Sequence, residues 1–158
     1  MTKLNVVAEP GTHQIIITRD FDAPRELVFK AMTDPALVPQ WWGPHSVTTT
    51  VDRMETKPGG TWRYVQRDAD GQEYGFRGVY HDVAAPERLV YTFEFELMPG
   101  HVLLETITLE EHDGKTRMTD NSVFQSVEDR DGMVASGMEQ GAAESWDRLD
   151  EILKALRA

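Results

Sequence analysis

Residues 134–156 of the chain read VASGMEQGAAESWDRLDEILKAL, and their apolar side chains recur every three or four positions. This spacing is that of one face of an amphipathic α-helix. We therefore predict one long helix at the end of the chain, whose apolar face must cover a surface built by the residues before it. The apolar positions are Val134, Met138, Ala142, Trp146, Leu149, Leu153 and Leu156.

The preceding residues carry the signals of an antiparallel sheet. Gln14 to Phe21 is rich in β-branched residues and predicts the first strand. Two short helices follow, one with Asp22 as its N-cap and one after Asp34, and Gly43 ends the second. Short turns then separate six further strands, which favours antiparallel pairing and an α+β domain. These strands are predicted over residues 47–54, 61–68, 73–83, 88–97, 102–111 and 115–124.

Length and composition restrict the class of protein. With 158 residues, the chain suits a single domain over residues 14–158 after a loosely ordered lead-in at 1–13. The net charge of −11 opposes binding to nucleic acid, and no apolar run approaches the ~20 residues of a membrane span. The chain has no cysteine, no secretory signal pattern and no metal-ligand spacing among its five histidines. We therefore expect a cytoplasmic protein without disulfide, metal or cofactor.

The turn at Asp113-Gly114 determines which side chains of two strands share a face. A two-residue turn makes Glu105 and Asp120 diagonal neighbours on the inward face that also carries Ile107. The two carboxyl groups then bracket a polar group inside an apolar cavity, as an anchor or an acid/base pair. Alternatively, one of them is exposed at the rim or bonded to backbone. A three-residue turn would instead reverse every side chain of one strand.

The turn at residues 69–71 is predicted as a three-residue loop in which Gly71 takes the left-handed position. Gly78 then lies opposite Trp62, where the missing side chain makes room for the indole or for a ligand. The opposite face alternates basic and acidic residues, which predicts a solvated ladder of opposite charges rather than a nucleic-acid groove. The ladder consists of Arg63, Arg67, Arg77, Glu94 and Glu96.

Four segments carry a family resemblance that spans about residues 14–156. They read FDAPRELVFKAMTDPALVPQWWGP, PGGTWRY, GVYHDVAAPERLVYTF and GMEQGAAESWDRLDEIL. The chain resembles the homologues of the heat-shock-protein-90 ATPase activator, within the START/birch-pollen-allergen (SRPBCC) superfamily of helix-grip domains. The resemblance implies a seven-stranded curved antiparallel sheet around a long C-terminal helix, two short helices after the first strand, and an internal cavity.

The last helix departs locally from the family pattern. Members usually read GW-T-E-S-L where this chain has Gly141-Ala142-Ala143-Glu144-Ser145-Trp146, so the aromatic lies one helical turn later. Gly137 and Gly141 each cost about 1 kcal/mol relative to alanine inside a helix. They either allow close packing on the sheet or leave volume beneath the helix, and the displaced aromatic suits open space beneath Gly141 and Ala142.

These features predict the binding of a small apolar or aromatic molecule in the internal cavity. We expect Trp41 and Trp42 near its mouth, and Glu105, Asp120 and Ser122 as its polar groups. The predicted ligand-binding residues are Trp41, Trp42, Trp62, Tyr64, Phe76, Tyr91, Phe93, Glu105, Ile107, Met118, Asp120 and Met138.

Two alternatives stay open at this point. The superfamily includes cyclases and aromatases, in which a buried carboxylate or histidine moves protons, and a carboxylate in a dry pocket has the raised pKa that such work needs. The resemblance and the acidic surface also allow a module that binds a chaperone. We assign no catalytic residue and favour a binding protein over an enzyme.

Overall fold

The computed structural model describes residues 4–157 and contains one antiparallel sheet of eight strands. Strands β3 to β8 follow one another as a meander, and β2 joins β8, so the order is β1-β2-β8-β7-β6-β5-β4-β3. The strands are β1 Asn5–Val7, β2 Gln14–Phe21, β3 Thr48–Met54, β4 Thr61–Arg67, β5 Glu73–Ala84, β6 Arg88–Phe95, β7 Val102–His112 and β8 Lys115–Val123.

Within residues 4–157, three α-helices and one short 3-10 helix complete the fold. They are α1 Arg25–Thr33, the 3-10 helix Val38–Gln40, α2 Val127–Ala135 and α3 Met138–Arg157. Helix α3 lies over the inner face of the curved sheet and buries Trp146, Leu149 and Leu153. Each such buried side chain contributes about 1.5–3 kcal/mol of hydrophobic free energy. The architecture is the α+β helix-grip arrangement expected from the sequence.

The number of strands differs from the expected seven. Asn5–Val7 forms an additional edge strand that pairs with β2, with Val6 opposite Ile17. This strand falls inside the stretch predicted as a loosely ordered lead-in, of which residues 1–3 lie outside the described part of the chain. The three-residue strand is too short to show the alternation by which the other strands were found.

The C-terminal helix is shorter than predicted, because the chain breaks at Gly137. Gly137 has a φ of +84°, which ends a separate helix α2 and starts α3 at Met138. Val134 therefore belongs to α2 and is 44% exposed, and Leu156 at the end of α3 is 39% exposed. Gly137 is a connection between two helices, and only Gly141 lies inside α3.

The start of α1 also differs from the prediction. Pro24 occupies the N-cap position, which receives no side-chain hydrogen bond. The Asp22 carboxylate instead accepts a hydrogen bond from the Arg157 guanidinium at 3.0 Å. Asp22 thus does not cap α1, and its hydrogen bond with Arg157 connects the start of α1 to the end of α3.

Both predicted turns have the expected registers. Glu105 pairs with Ser122 and Ile107 with Asp120 around the Asp113-Gly114 turn, so the two carboxylates are diagonal neighbours. Across the other turn, Trp62 pairs with Gly78, and Gly71 has a positive φ. On the outer face the predicted ladder is formed, with Arg63 Nε 2.7 Å from Glu96 Oε2 and Arg77 Nε 3.2 Å from Glu94 Oε1.

Candidate functional site

A cavity of about 270 Å³ lies between the inner face of the sheet and the N-terminal half of α3. Its walls are mostly apolar, and its polar groups come mainly from β7 and β8. An ideal Cβ on Gly141 would meet no atom within 4 Å, so the missing side chain leaves open space at this wall. The lining residues are Ile15, Ile17, Trp42, Gly43, Pro44, Gln66, Phe76, Phe93, Leu103, Glu105, Asp120, Ser122, Phe124, Met133, Met138, Gly141, Ala142, Ser145 and Trp146.

Trp42 separates this cavity from a second, smaller one. The smaller cavity has a volume of about 40 Å³, enough for one or two water molecules, and Trp42 lines both. The Trp42 ring lies 5.0 Å from Tyr64 and 5.2 Å from Phe76, both in edge-to-face geometry. Trp42 is half-buried and thus forms a partition between the two cavities. Its predicted place near the mouth of the ligand cavity stays a prediction.

The main chain beside Trp42 is held by side chains from distant segments. Thr49 Oγ1 donates to the Trp42 carbonyl at 2.6 Å. Ser145 Oγ on α3 donates to the Trp41 carbonyl at 3.0 Å and accepts from the Gly43 amide at 3.1 Å. Because helix α3 fixes this loop, the position of the partition depends on the position of the helix.

Glu105 and Asp120 form a hydrogen-bonded pair of carboxyl groups on the cavity wall. Ser122 Oγ lies 3.3 Å from Asp120 Oδ1 and 3.5 Å from Glu105 Oε1. Asp120 and Ser122 are each 7% exposed. The Ser122 hydroxyl is thus within reach of both carboxyl groups, and their role as an anchor or an acid/base pair for a ligand stays a prediction.

Burial raises the pKa of Glu105 well above its usual range, and the neighbouring Asp120 raises this pKa further. Burial also raises the pKa of Asp120, while hydrogen bonds from Glu105 and Ser122 act in the opposite direction. Two adjacent carboxyl groups in a poorly hydrated wall cannot both ionise at low cost. The pair therefore holds one proton on Glu105, which donates it to the Asp120 carboxylate.

Tyrosine side chains line the smaller cavity, and Glu105 is part of the same wall. Tyr91 on β6 pairs with Glu105 in the sheet register. Burial raises the pKa of Tyr91 well above its ordinary value, and the charges of Glu105 and Asp120 add to the effect. Tyr64 and Tyr80 are hydrogen-bonded to each other, and burial raises both of their pKa values. These hydroxyls are neutral at physiological pH.

The structure distributes the predicted ligand-binding residues among three environments. Trp42, Phe76, Phe93, Glu105, Asp120 and Met138 line the larger cavity. The smaller cavity, but not the larger, is lined by Trp41, Trp62, Tyr64 and Tyr91. Trp41 is a core residue whose Nε1 donates to the Ala31 carbonyl at 2.9 Å. Ile107 and Met118 line neither cavity and are 2% and 0% exposed in the core.

Several lining residues were not identified from the sequence. Ile15 and Ile17 reach the cavity because β2 pairs with β8, which places Ile17 opposite Asp120. The β-branched residues of QIIITRDF predicted a strand, but no local feature indicated its inward face or its neighbour. Met133 and Ser145 come from the two terminal helices, whose placement depends on the break at Gly137.

A second groove of about 430 Å³ adjoins the cavity beneath α2. Phe76, Phe93 and Met133 are among the residues that line both. At its polar rim, His101 Nδ1 lies 2.9 Å from Asp129 Oδ1. The cavity and the groove together form an elongated apolar depression that opens under α2.

Some other kinds of site find no support in residues 4–157. Within that range, no group of three or more histidine, aspartate or glutamate side chains could hold a metal ion. None of the helices in the same range is long and apolar enough to cross a membrane.

Comparison with known proteins places this chain and its fold in a family. Among solved structures, a protein from Arthrobacter aurescens shares 28% identity, with a TM-score of 0.88 over 96% of this chain and 91% of its own. A protein from Rhodobacter sphaeroides shares 26% identity, with a TM-score of 0.89 over 97% of this chain and 99% of its own.

A third solved structure, from Mycobacterium smegmatis, shares 26% identity, with a TM-score of 0.86 over 97% of both chains. No match was found among curated proteins. The family model described as "Activator of Hsp90 ATPase homolog 1-like protein" matches residues 22–154. The chain therefore belongs to the family of Activator of Hsp90 ATPase homolog 1-like proteins.

Proposed function

We propose that the protein binds a small apolar or aromatic molecule in the larger cavity. The observation that carries this proposal is a space of about 270 Å³ with aromatic and aliphatic walls and one buried polar cluster. Ligand sites have this composition, in which apolar walls supply affinity and a few polar groups fix the orientation. Trp42, Phe76 and Phe93 provide ring surfaces, and Glu105, Asp120 and Ser122 provide the polar end.

The difference between Ala142 and the aromatic residue that is usual in the family at this position supports the same proposal. Ala142 and Gly141 both line the cavity at the point where relatives of this family usually carry an aromatic side chain. A tryptophan at position 142 would fill space that this chain leaves open. The two small residues therefore distinguish this chain from relatives whose helix fills the same region.

The test begins with native mass spectrometry of freshly purified protein, compared with its denatured mass. We expect an excess mass that disappears on denaturation and identifies the ligand. Ala142→Trp should abolish retention of this ligand, because the indole occupies the cavity. Ala155→Trp is the matched control, since it adds the same side chain at an exposed position of α3. Equal retention by both variants, or a bare protein that binds no apolar probe, would reject the proposal.

A cyclase- or aromatase-like enzyme is the second candidate, and the carboxyl pair favours it. Glu105 supplies a proton and Asp120 can accept one within the same wall, which are the two roles of general acid and base. The ligand recovered from the protein is incubated with the wild type and with Glu105→Gln. Conversion by the wild type and its loss in the variant would establish this function, and an unchanged ligand would exclude it.

Binding of a chaperone is the third candidate, and its support is the description of the family. The family takes its description from an activator of the Hsp90 ATPase. Titration against the Hsp90 of the same organism tests it, and an absence of binding at high micromolar concentration would exclude such a partner.

A further inference from the structure

We infer that the ligand of the larger cavity is an amine, whose ammonium group binds at Glu105 and Asp120 while its apolar body lies against the aromatic wall. This inference rests on the proposed function and adds the chemical class of the ligand. It follows from the charges that face the cavity, from the geometry of the carboxyl pair and from the rings beside it.

The charged groups that line the cavity are all acidic. None of the described residues that line it is a lysine, arginine or histidine, and its carboxyl groups are Glu105 and Asp120. The smaller cavity likewise has no basic lining residue within the described chain. A bound carboxylate or phosphate would thus be buried beside like charge without a counter-ion, which is costly in a poorly hydrated site. A bound cation would instead be stabilised by the opposite charge of the carboxyl groups.

The buried cation on this face of the sheet is already neutralised. Arg19 on β2 is 3% exposed and its side chain points towards α3. Its Nη1 lies 2.6 Å from Asp147 Oδ1, and its Nη2 lies 3.7 Å from Asp150 Oδ2. Arg19 lines neither cavity, so it does not offset the charge of the pair.

The polar cluster has acceptor capacity to offer an ammonium group. Asp120 is held by Glu105 and Ser122, and a carboxylate has about four lone-pair positions. Hydrogen bonds between a carboxylate and an ammonium group are the stronger, charge-assisted kind. The rings of Trp42, Phe76 and Phe93 line the same cavity and attract a cation through their negative faces.

The pair also makes the affinity depend on charge rather than on shape alone. From the other strands, Asp120 on β8 and Tyr91 on β6 interact with Glu105. Tyr64 on β4 and Tyr80 on β5 line the smaller cavity together with Glu105. The tyrosines are neutral, so the pair carries one net negative charge when it shares one proton. A neutral alcohol of the same shape can form a hydrogen bond there but cannot neutralise that charge.

The experiment compares three probes of one shape: 2-naphthylmethylamine, 2-naphthylmethanol and 2-naphthoate. Their dissociation constants are measured by isothermal titration calorimetry at neutral pH and about 0.15 M salt, which screens attraction to the acidic surface. We expect the amine to bind about 10- to 100-fold more tightly than the alcohol, because one charge-assisted interaction is added. The carboxylate should bind more weakly than the alcohol.

The double variant Glu105→Gln/Asp120→Asn keeps the shape of the wall and removes its charge. It should bind the amine and the alcohol within about threefold of each other, which is a free-energy difference of about 0.65 kcal/mol. Glu110→Gln is the matched control, because Glu110 is an exposed carboxylate on the same strand. It should retain the full preference for the amine.

The outcomes separate this inference from the proposed function. Binding of the alcohol and the amine with equal affinity to the wild type, or an amine preference that survives in the double variant, overturns the amine assignment and leaves a ligand cavity. Tighter binding of the naphthoate overturns it as well. If none of the three probes binds, both the cavity function and the amine assignment are wrong.

Discussion

Replacement of Gly78 by alanine gives the sharpest test of how the wall around the smaller cavity is packed. Gly78 lies opposite Trp62 on β4. An ideal Cβ at position 78 would lie 1.7 Å from the Thr92 carbonyl oxygen and 2.6 Å from Trp62 Nε1. Ordinary contacts of a Cβ begin at 3.4 Å, so the added methyl group must displace the backbone of β6 or the indole.

The expected cost follows from the two interactions that the methyl group disturbs. Trp62 Nε1 donates a hydrogen bond to the Thr92 carbonyl at 3.2 Å, and its loss inside the domain costs about 1 kcal/mol. Overpacking against backbone adds about 1–3 kcal/mol. We therefore expect Gly78→Ala to lower the free energy of unfolding by about 2–4 kcal/mol.

Urea denaturation followed by tryptophan fluorescence measures this loss. With a slope of about 2 kcal/mol per molar urea for a domain of this size, the midpoint should fall by about 1–2 M. Gly141→Ala is the control, because its Cβ meets nothing within 4 Å. Alanine there should raise the free energy of unfolding by about 0.5–1 kcal/mol through its helix propensity.

A loss below about 1 kcal/mol for Gly78→Ala would refute this account of the wall. It would mean that β6 yields to the methyl group at little cost and that the contact between Trp62 and Thr92 does not fix the strand. Destabilisation by Gly141→Ala would equally contradict the open space assigned beneath α3.

Three further changes have expected outcomes. Because the pKa of Glu105 is raised in the folded state, its contribution to stability is present at acid pH and is lost as pH rises. In urea titrations, the free energy of unfolding of Glu105→Gln should therefore match that of the wild type near pH 4 and exceed it by about 1–3 kcal/mol near pH 8. Equal unfolding curves of the two proteins at both pH values would contradict the buried pair. Trp42→Ala should join the two cavities and lower the free energy of unfolding by about 2–4 kcal/mol. A loss under about 1 kcal/mol in the same assay would mean that the Trp42 ring is not tightly packed against its neighbours. Arg19→Met should change the free energy of thermal unfolding by less than about 1 kcal/mol. The Asp147 carboxylate is 53% exposed and regains water, and the substitution removes the Arg19 Nε, which is buried without a hydrogen-bond partner. A large loss of stability would show that the ion pair holds α3 in place.

The amine inference and the pH prediction depend on the same two side chains but are independent measurements. The stability difference of Glu105→Gln requires only that the carboxyl group is buried. The preference for an amine requires in addition that the cavity is accessible to a ligand. If Glu105→Gln shows the pH-dependent stability difference but the wild type shows no preference for the amine, the carboxyl pair is structural and does not bind the ligand.

Local patterns were sufficient to predict the elements that build the inner face of the sheet. The dipeptide Asp113-Gly114 takes positive φ values of 54° and 78°, and this two-residue turn determines the register of β7 against β8. The diagonal of Glu105 and Asp120 follows from that register, since side chains alternate with a period of two. The opposition of Gly78 and Trp62 was predictable for the same reason.

The cavity itself could not be derived in this way. Its volume depends on where Trp42 lies, and that loop is held by Ser145, more than one hundred residues later in the chain. Trp41 and Trp42 are adjacent in sequence, yet one is a core residue and the other is a partition between two cavities. The break at Gly137 separates two helices that a continuous apolar period had joined.

The sequence by itself determined the α+β class, the antiparallel meander and the charged outer face, because turns and side-chain periodicity act between residues close in the chain. It left open whether Glu105 and Asp120 lie inside or at the rim. Only the tertiary structure decided the eighth strand, the pairing of β2 with β8, the two-helix C-terminal segment and the space left open beside Gly141 and Ala142. These features depend on hydrogen bonds and packing between segments far apart in the chain, and empty volume is a property of the assembled walls, which no single segment encodes.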